Sequence, residues 1–275
     1  MTDLAGGWRL SPFLTASAGL HGVALATLIA SPRSWGLVLT AVLGNHLVIS
    51  AAGMLPRCGW LGPNITRLPT TRARGDLVAL TFDDGPDPDV TPAVLDLLEA
   101  AGARATFFCV GQRAEAYPGM VAAMRARGHG VENHSYSHPN GFALRGPQGL
   151  RREILRAQEA IEQSGGGRPS LFRAPAGIQN PWLAAVLAKA GLSLVSWSRR
   201  GFDTVTRDGV RVASRLGRGL SPGDILLLHD GSSARAASGR PVVLEALPRV
   251  LDEMSRKGLR SEALHTVLKK SERES

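Results

Sequence analysis

From Asp76 onward the chain alternates short apolar runs with segments of helical period, and no other feature constrains its fold as strongly. The runs Leu77–Phe82, Ala105–Val110, Val131–His134, Leu171–Arg173, Leu192–Trp197 and Asp224–Leu228 read as strands. Between them, Val94, Leu97, Leu98 and Ala101 make one helical face, opened by Thr91-Pro92 and closed by Gly102. Leu150, Ile154, Ala157 and Ile161 make a second face, and Leu244, Leu247, Leu251 and Met254 a third. Repeated strand–helix alternation predicts an α/β fold of βα units, a (β/α) barrel that need not be complete.

The first 56 residues have a different character. Leu10 to Pro32 contains no Asp, Glu, Lys or Arg, and neither does Ser34 to Pro56; Arg33 alone divides them, in the turn-like Ser31-Pro32-Arg33-Ser34. Each stretch exceeds the roughly 20 residues a helix needs to cross the hydrocarbon. They predict a transmembrane helical hairpin over residues 1–56, with Trp8 and Trp35 at interfacial positions. His21, Asn45 and His46 are costly there unless they bond across the hairpin. A cleaved signal peptide fits poorly, because a second apolar segment follows the first and the only basic residue ahead is Arg9. Residues 57–75, rich in Arg, Pro, Thr and Gly without periodicity, read as a linker, and 76–275 as the catalytic domain. Arg9, Arg57, Arg67, Arg72 and Arg74 flank the hairpin against Arg33 in its turn, which predicts a cytoplasmic C-terminal domain on a bacterial-type inner membrane.

The net charge of +9 raises the question of nucleic acid, but the basic residues are almost all Arg and are scattered, with no Lys/Arg block interleaved with aromatics. Anionic headgroups or an anionic lipid-linked substrate suit this charge, and nucleic acid is not expected. Cys58 and Cys109 read as free thiols, with Cys109 in the core.

The reactive side chains fall where strands give way to loops. Asp83 and Asp84 follow Phe82, His134 and His138 follow the third run, Arg173 ends the fourth, Asp203 follows Trp197, and His229 and Asp230 follow Leu228. In a βα barrel those ends meet on one face. His134 and His138 converge if the segment between them turns helically, and with one carboxylate they make a facial metal site. The same ligands suit iron in an oxygenase, so ligand types alone do not name the reaction. Of the two adjacent aspartates, one can bind the metal while the other serves as general base. His229 is placed to protonate a leaving amine.

The segments Thr81-Phe82-Asp83-Asp84-Gly85-Pro86, His134-Ser135-Tyr136-Ser137-His138, Arg173-Ala174-Pro175-Ala176-Gly177 and Leu227-Leu228-His229-Asp230, in this order, resemble the NodB-homology polysaccharide deacetylases, carbohydrate esterase family 4. Ala105-Thr106-Phe107-Phe108 resembles a framework strand of the same family. The likeness runs from about Leu77 to the C-terminus and leaves the hairpin outside.

What it implies is a distorted, TIM-like (β/α) barrel with fewer than eight regular units. It implies Asp84, His134 and His138 on a divalent metal, zinc first, with cobalt, nickel, manganese and iron(II) as alternatives. By the same likeness Asp83 is the base, oriented by Arg173, and His229 the acid, held by Asp203. Leu227 lines the pocket for the acyl methyl, and the backbone N–H of Ala176 faces the oxyanion. Two departures stand out. The family often has an aromatic where Ala176 stands, and often Asp-Trp in place of Asp203-Thr204, so a long polysaccharide substrate is in doubt.

The expected function is removal of an acetyl or formyl group from an amino sugar on a lipid carrier, with residues 10–56 contacting membrane lipids. An exported peptidoglycan or exopolysaccharide deacetylase is the alternative. A catalytically silent carbohydrate-binding protein is a third reading, disfavoured because no ligand or acid–base residue is missing. The loop Gly231–Arg240 is expected to border the substrate.

Overall fold

The computed structural model describes residues 9–69 and 75–268, so Trp8, Arg72 and Arg74 lie outside the described residues. Helices α1 (Pro12–Ala30) and α2 (Trp35–Met54) form an antiparallel pair joined through a 3-10 turn at Pro32–Ser34. They contain 19 and 20 residues, no Asp, Glu, Lys or Arg, and large exposed apolar groups such as Val23, Ile29, Leu37 and Leu47. By length and composition both are able to cross a membrane. Their polar residues bond to one another. Asn45 Nδ2 donates to Ser17 Oγ at 2.8 Å, and the His21 and His46 rings meet edge to face at 5.2 Å.

The domain then runs β1 (Leu77–Asp83), α3 (Thr91–Ala100), β2 (Ala105–Cys109), α4 (Gly111–Ala116), α5 (Pro118–Ala126), β3 (Gly130–Asn133) and α6 (Pro147–Ile161). It continues with β4 (Leu171–Phe172), α7 (Leu183–Ala190), β5 (Ser193–Leu194), β6 (Arg199–Arg200), α8 (Gly209–Gly217), β7 (Ile225–His229), α9 (Val242–Arg256) and β8 (Arg260–Ser261). The strands pair in parallel in the order β5-β4-β3-β2-β1-β7-β6, with β8 beside the start of β1. The sheet curls into an incomplete (β/α) barrel.

All seven residues of β1 are buried, because a strand in the middle of such a sheet is covered on both faces. Val78, Leu80 and Phe82 pack outward with Val94 and Leu98 of α3, Met124 of α5, Leu216 of α8 and Leu247 of α9. Leu77 and Ala79 face an inner cluster with Phe108, Trp197 and Leu227. The two-residue period carries this inner row on through Thr81 to Asp83, so the strand delivers one aspartate into the barrel at its carboxyl end.

The α6 face is buried as expected. In α3, however, Leu95 is buried while Ala101 is exposed at the C-cap. In α9, Val243, Ala246 and Val250 share the buried face with Leu247 and Met254. In both helices the apolar stripe is broad enough to be read about one residue off. Cys58 and Cys109 are free, and Cys109 is buried beside Met124.

Residues 57–69 carry no helix or strand of their own, yet they are fastened to the domain. Ile65 N–H donates to Leu194 O at 2.9 Å, and Ser196 N–H donates to Ile65 O at 2.8 Å. Leu68 N–H donates to Gly223 O at 2.8 Å, and the Leu68 side chain joins the inner cluster. The segment thus bridges Val195, just after edge strand β5, and Asp224, just before β7. On its other side, Leu61 packs with Leu14 and Ala52, and the Phe13 and Trp60 rings meet at 5.3 Å.

Candidate active site

β1 ends on Asp83 in extended geometry, and Asp84 then turns into the left-handed region at φ 72°. This change of hand sends the two carboxylates to different partners. Asp83 Oδ1 accepts from Arg173 NH1 at 2.7 Å, and its Oδ2 lies 3.9 Å from His134 Nε2. Asp84 Oδ1 lies 3.2 Å from His134 Nε2 and 3.3 Å from His138 Nε2.

The segment from His134 to His138 is not helical. Two left-handed residues, Ser135 at φ 63° and His138 at φ 46°, fold it into an irregular turn that brings the imidazoles to 4.9 Å between centroids. Side chains hold the turn in place of a helical ladder. Asn133 Oδ1 accepts from Ser135 N, Ser135 Oγ accepts from His138 N, and Glu153 accepts from both the N–H and the Oγ of Ser137. Short polar side chains that bond locally compete well with helix formation, so the imidazoles converge here through an irregular turn and not a helical one.

The chemistry of the donor set fits a metal. His134 Nδ1 lies 2.8 Å from the carbonyl of Arg173; a carbonyl only accepts, so Nδ1 carries the proton and Nε2 presents a lone pair. Asp84 Oδ1 is buried and has no hydrogen bond among the described residues. One ligand atom from each of Asp84, His134 and His138 lies within 4.8 Å of the others. Burial works against the Asp84 charge, but the neighbouring His134, with the charges of His229 and His138, holds its carboxyl well below the usual range. Burial and the neighbouring His134 push His138 down, which favours the neutral imidazole that a metal requires. His134 is pulled down by burial but raised overall by Asp83 and Asp84.

Arg173 is fully buried with its donors placed. NH1 also reaches Thr81 Oγ1 at 2.8 Å, NH2 the carbonyl of Ser196 at 3.2 Å, and the guanidinium lies 4.1 Å from the Phe108 centroid. Burial lowers its pKa, opposed by the charge of Asp83. His229 sits beside Asp83 in the β1–β7 register. Both oxygens of the buried Asp203 hold it: Oδ1 accepts from Nδ1 at 2.9 Å and Oδ2 from the backbone N–H at 2.7 Å. Burial pushes the His229 pKa down, but Asp203, then Asp83 and Asp84, outweigh burial and raise it. Leu227 lies two residues earlier on the same face, in the apolar floor with Trp197. Ala176 is exposed with φ 55°, followed by Gly177 at φ 72°, where a Cβ would strike Trp197 and Pro56.

Several residues to which the sequence assigned no role also contribute. Ser232 Oγ donates to Asp84 Oδ2, so the Gly231–Arg240 loop touches the site through its second residue. Asp230 is buried, accepts from Thr91 Oγ1 at 2.5 Å, and is raised to about 7 by burial. Its carboxylate occupies the space that a Cβ on Gly85 would fill. Phe202, at φ 62°, has the guanidinium groups of Arg200 and Arg215 at 4.9 and 5.5 Å from its ring centroid. It is an aromatic next to Asp203 on the opposite side from Thr204.

Residues 70–195 match the family described as polysaccharide deacetylase. A chitooligosaccharide deacetylase of Bradyrhizobium sp. is 38% identical over 189 residues, 66% of this chain and 85% of the relative. A peptidoglycan-N-acetylglucosamine deacetylase of Bacillus cereus is 32% identical over 199 residues, 70% of this chain and 69% of the relative. Among solved structures, a family 4 carbohydrate esterase from Streptomyces lividans in complex with acetate superposes with a TM-score of 0.61. It is 38% identical and covers 68% of this chain and 91% of its own. With the site's geometry, these similarities place the chain in the polysaccharide deacetylase family.

Proposed function

We propose that this chain is a metal-dependent carbohydrate N-deacylase that removes an acetyl or formyl group from an amino sugar carried on a lipid. One observation carries the reading. Asp84, His134 and His138 converge on one point, with Asp83 and His229 beside each other at the ends of neighbouring strands. A silent carbohydrate-binding protein would have no use for that complete set. The relatives named above support a sugar amide as substrate.

A divalent ion, zinc first among those these ligands suit, would supply Lewis acidity and a water acidic enough to lose a proton near neutral pH. Arg173 fixes Asp83 by one oxygen, which leaves the other to accept the proton of the attacking water. As the C–N bond breaks, His229 donates a proton from Nε2 to the departing nitrogen, while Asp203 keeps Nδ1 protonated and the ring in place. The Ala176 N–H faces the oxyanion, and Leu227 lies beneath the acyl methyl. The products are a carboxylate and the amine of the sugar.

The substrate class and the membrane belong to the same proposal, as does the division into hairpin 1–56, connecting segment 57–75 and catalytic domain 76–275. Two exposed apolar helices without a charged residue support the anchor. Ala176 and Thr204, in place of aromatics, support a short saccharide over a long chain. An exported peptidoglycan or exopolysaccharide deacetylase is the second reading, favoured by the named peptidoglycan relative.

The test uses the full chain in detergent, stripped of metal and reloaded with zinc. Acetate or formate release should return with stoichiometric metal and be lost in His134→Ala. Release from lipid-linked and free N-acylated sugars then separates the substrate classes. Bound metal with no release from any N-acylated sugar would overturn the deacylase reading.

A further inference from the structure

The end of α2 does not hang free of the catalytic domain; it packs against the loop that carries Ala176. Gln179 N–H donates to Gly53 O at 2.9 Å, and Gly53 fits because a Cβ there would strike the Gln179 carbonyl. Pro56 packs on Gly177, one residue after Ala176. From Gln179 the contacts continue outward. Asn180 Nδ2 donates to the carbonyls of Ala143 and Arg145, both at 2.9 Å, and its Oδ1 accepts from the backbone of Trp182 and Leu183. The segment that begins at His138 and the segment that holds Ala176 are therefore tied together at the foot of the hairpin.

Those two segments expose large apolar groups at this point: Leu144 is 91% exposed and Trp182 54%. Met54, Leu55 and Trp60, where the hairpin joins the domain, are exposed too, as are Arg9 and Arg57. None of these five apolar residues packs into the domain core. Exposed apolar patches rimmed by basic residues and continuous with an apolar helix pair fit a lipid surface. Trp prefers the headgroup level there, and Arg reaches the anionic phosphates.

We propose that Leu144 and Trp182, continuous with Met54, Leu55 and Trp60, form a membrane-seating surface. It holds the rim of the catalytic site against the lipid headgroups, so that a lipid-linked sugar enters from the bilayer surface. The inference rests on the hairpin spanning the membrane, and the experiment separates the two.

Nitroxide labels are placed singly on the full chain with Cys58→Ser, leaving the buried Cys109 in place. The positions are Leu144→Cys, Trp182→Cys, Leu47→Cys within α2, and Val210→Cys on α8, which is exposed in the domain. The protein is reconstituted in phosphatidylcholine–phosphatidylglycerol vesicles, and label collisions with oxygen are compared with those of a water-soluble nickel chelate. The expected result is a deep label at 47, shallow but lipid-facing labels at 144 and 182, and a water-facing label at 210. A deep label at 47 with water-facing labels at 144 and 182 overturns the seating surface and leaves the hairpin standing. A water-facing label at 47 overturns both. In the double variant Leu144→Glu with Trp182→Glu, turnover of a lipid-linked N-acylated sugar should fall about tenfold, with a water-soluble one unchanged; an equal effect on both substrates also counts against the surface.

Discussion

Two adjacent aspartates can divide two tasks only because the backbone changes hand between them. Asp83 belongs to the strand and is tied to Arg173; Asp84 is left-handed and faces two imidazoles. Asp83→Asn keeps a polar group of the same size on Arg173 but removes the proton acceptor. Turnover should fall by about 10²–10⁴, while zinc stoichiometry, read by atomic absorption, stays at the wild-type value. Near-native turnover would remove Asp83 as the base. His229 gives a prediction in pH. Burial alone would lower its pKa, and Asp203 is the first of the groups that raise it. An acid works only while protonated, so activity is lost as pH rises through the His229 pKa. Asp203→Asn removes the raising partner, so the alkaline limb of kcat/KM should move to lower pH. An unmoved limb would mean that another group supplies the proton.

At the scale of elements, the strands were legible because a strand covered on both faces leaves a continuous apolar run, as in Leu77–Asp83 and Ile225–His229. The reactive residues were legible for a related reason, since each stands where such a run stops. Strands β6 and β8 were not, because the polar ladders Arg199–Arg200 and Arg260–Ser261 carry no apolar run and are fixed by their neighbours. The imidazoles of His134 and His138 converge without the helical turn their spacing suggests, because the geometry comes from Asn133, Ser135 and the distant Glu153. Residues 57–69 show the same limit, since irregular composition hides a segment held at Val195 and at Asp224. Leu68 decides how much that attachment matters. Its side chain is buried in the inner cluster, so Leu68→Ala should cost about 2–5 kcal/mol in denaturant unfolding of the full chain. A free tether would give less than about 0.5 kcal/mol.

For the whole molecule, the two ends of the hairpin carry unequal charge. Arg9, Arg57 and Arg67 lie at the end joined to the catalytic domain, and Arg33 alone lies at the turn. Because positive residues near a span resist translocation, this asymmetry favours the domain on the cytoplasmic side. The margin is a few charges, which makes it testable by reversal. A reporter enzyme that is active only in the cytoplasm, fused after Ser275, should be active on the wild-type chain, and one that folds only after export should be silent. Adding basic residues at the turn, Ser31→Arg with Ser34→Arg, while replacing Arg9 and Arg57 by Gln, should weaken or invert that pattern. None of those four side chains belongs to the proposed catalytic site, and the paired reporters read the side of the membrane and not turnover. An export-dependent reporter active on the unaltered chain would place the site outside the cytoplasm. The substrate reading would then pass from a lipid carrier on the inner face to a peptidoglycan or exopolysaccharide.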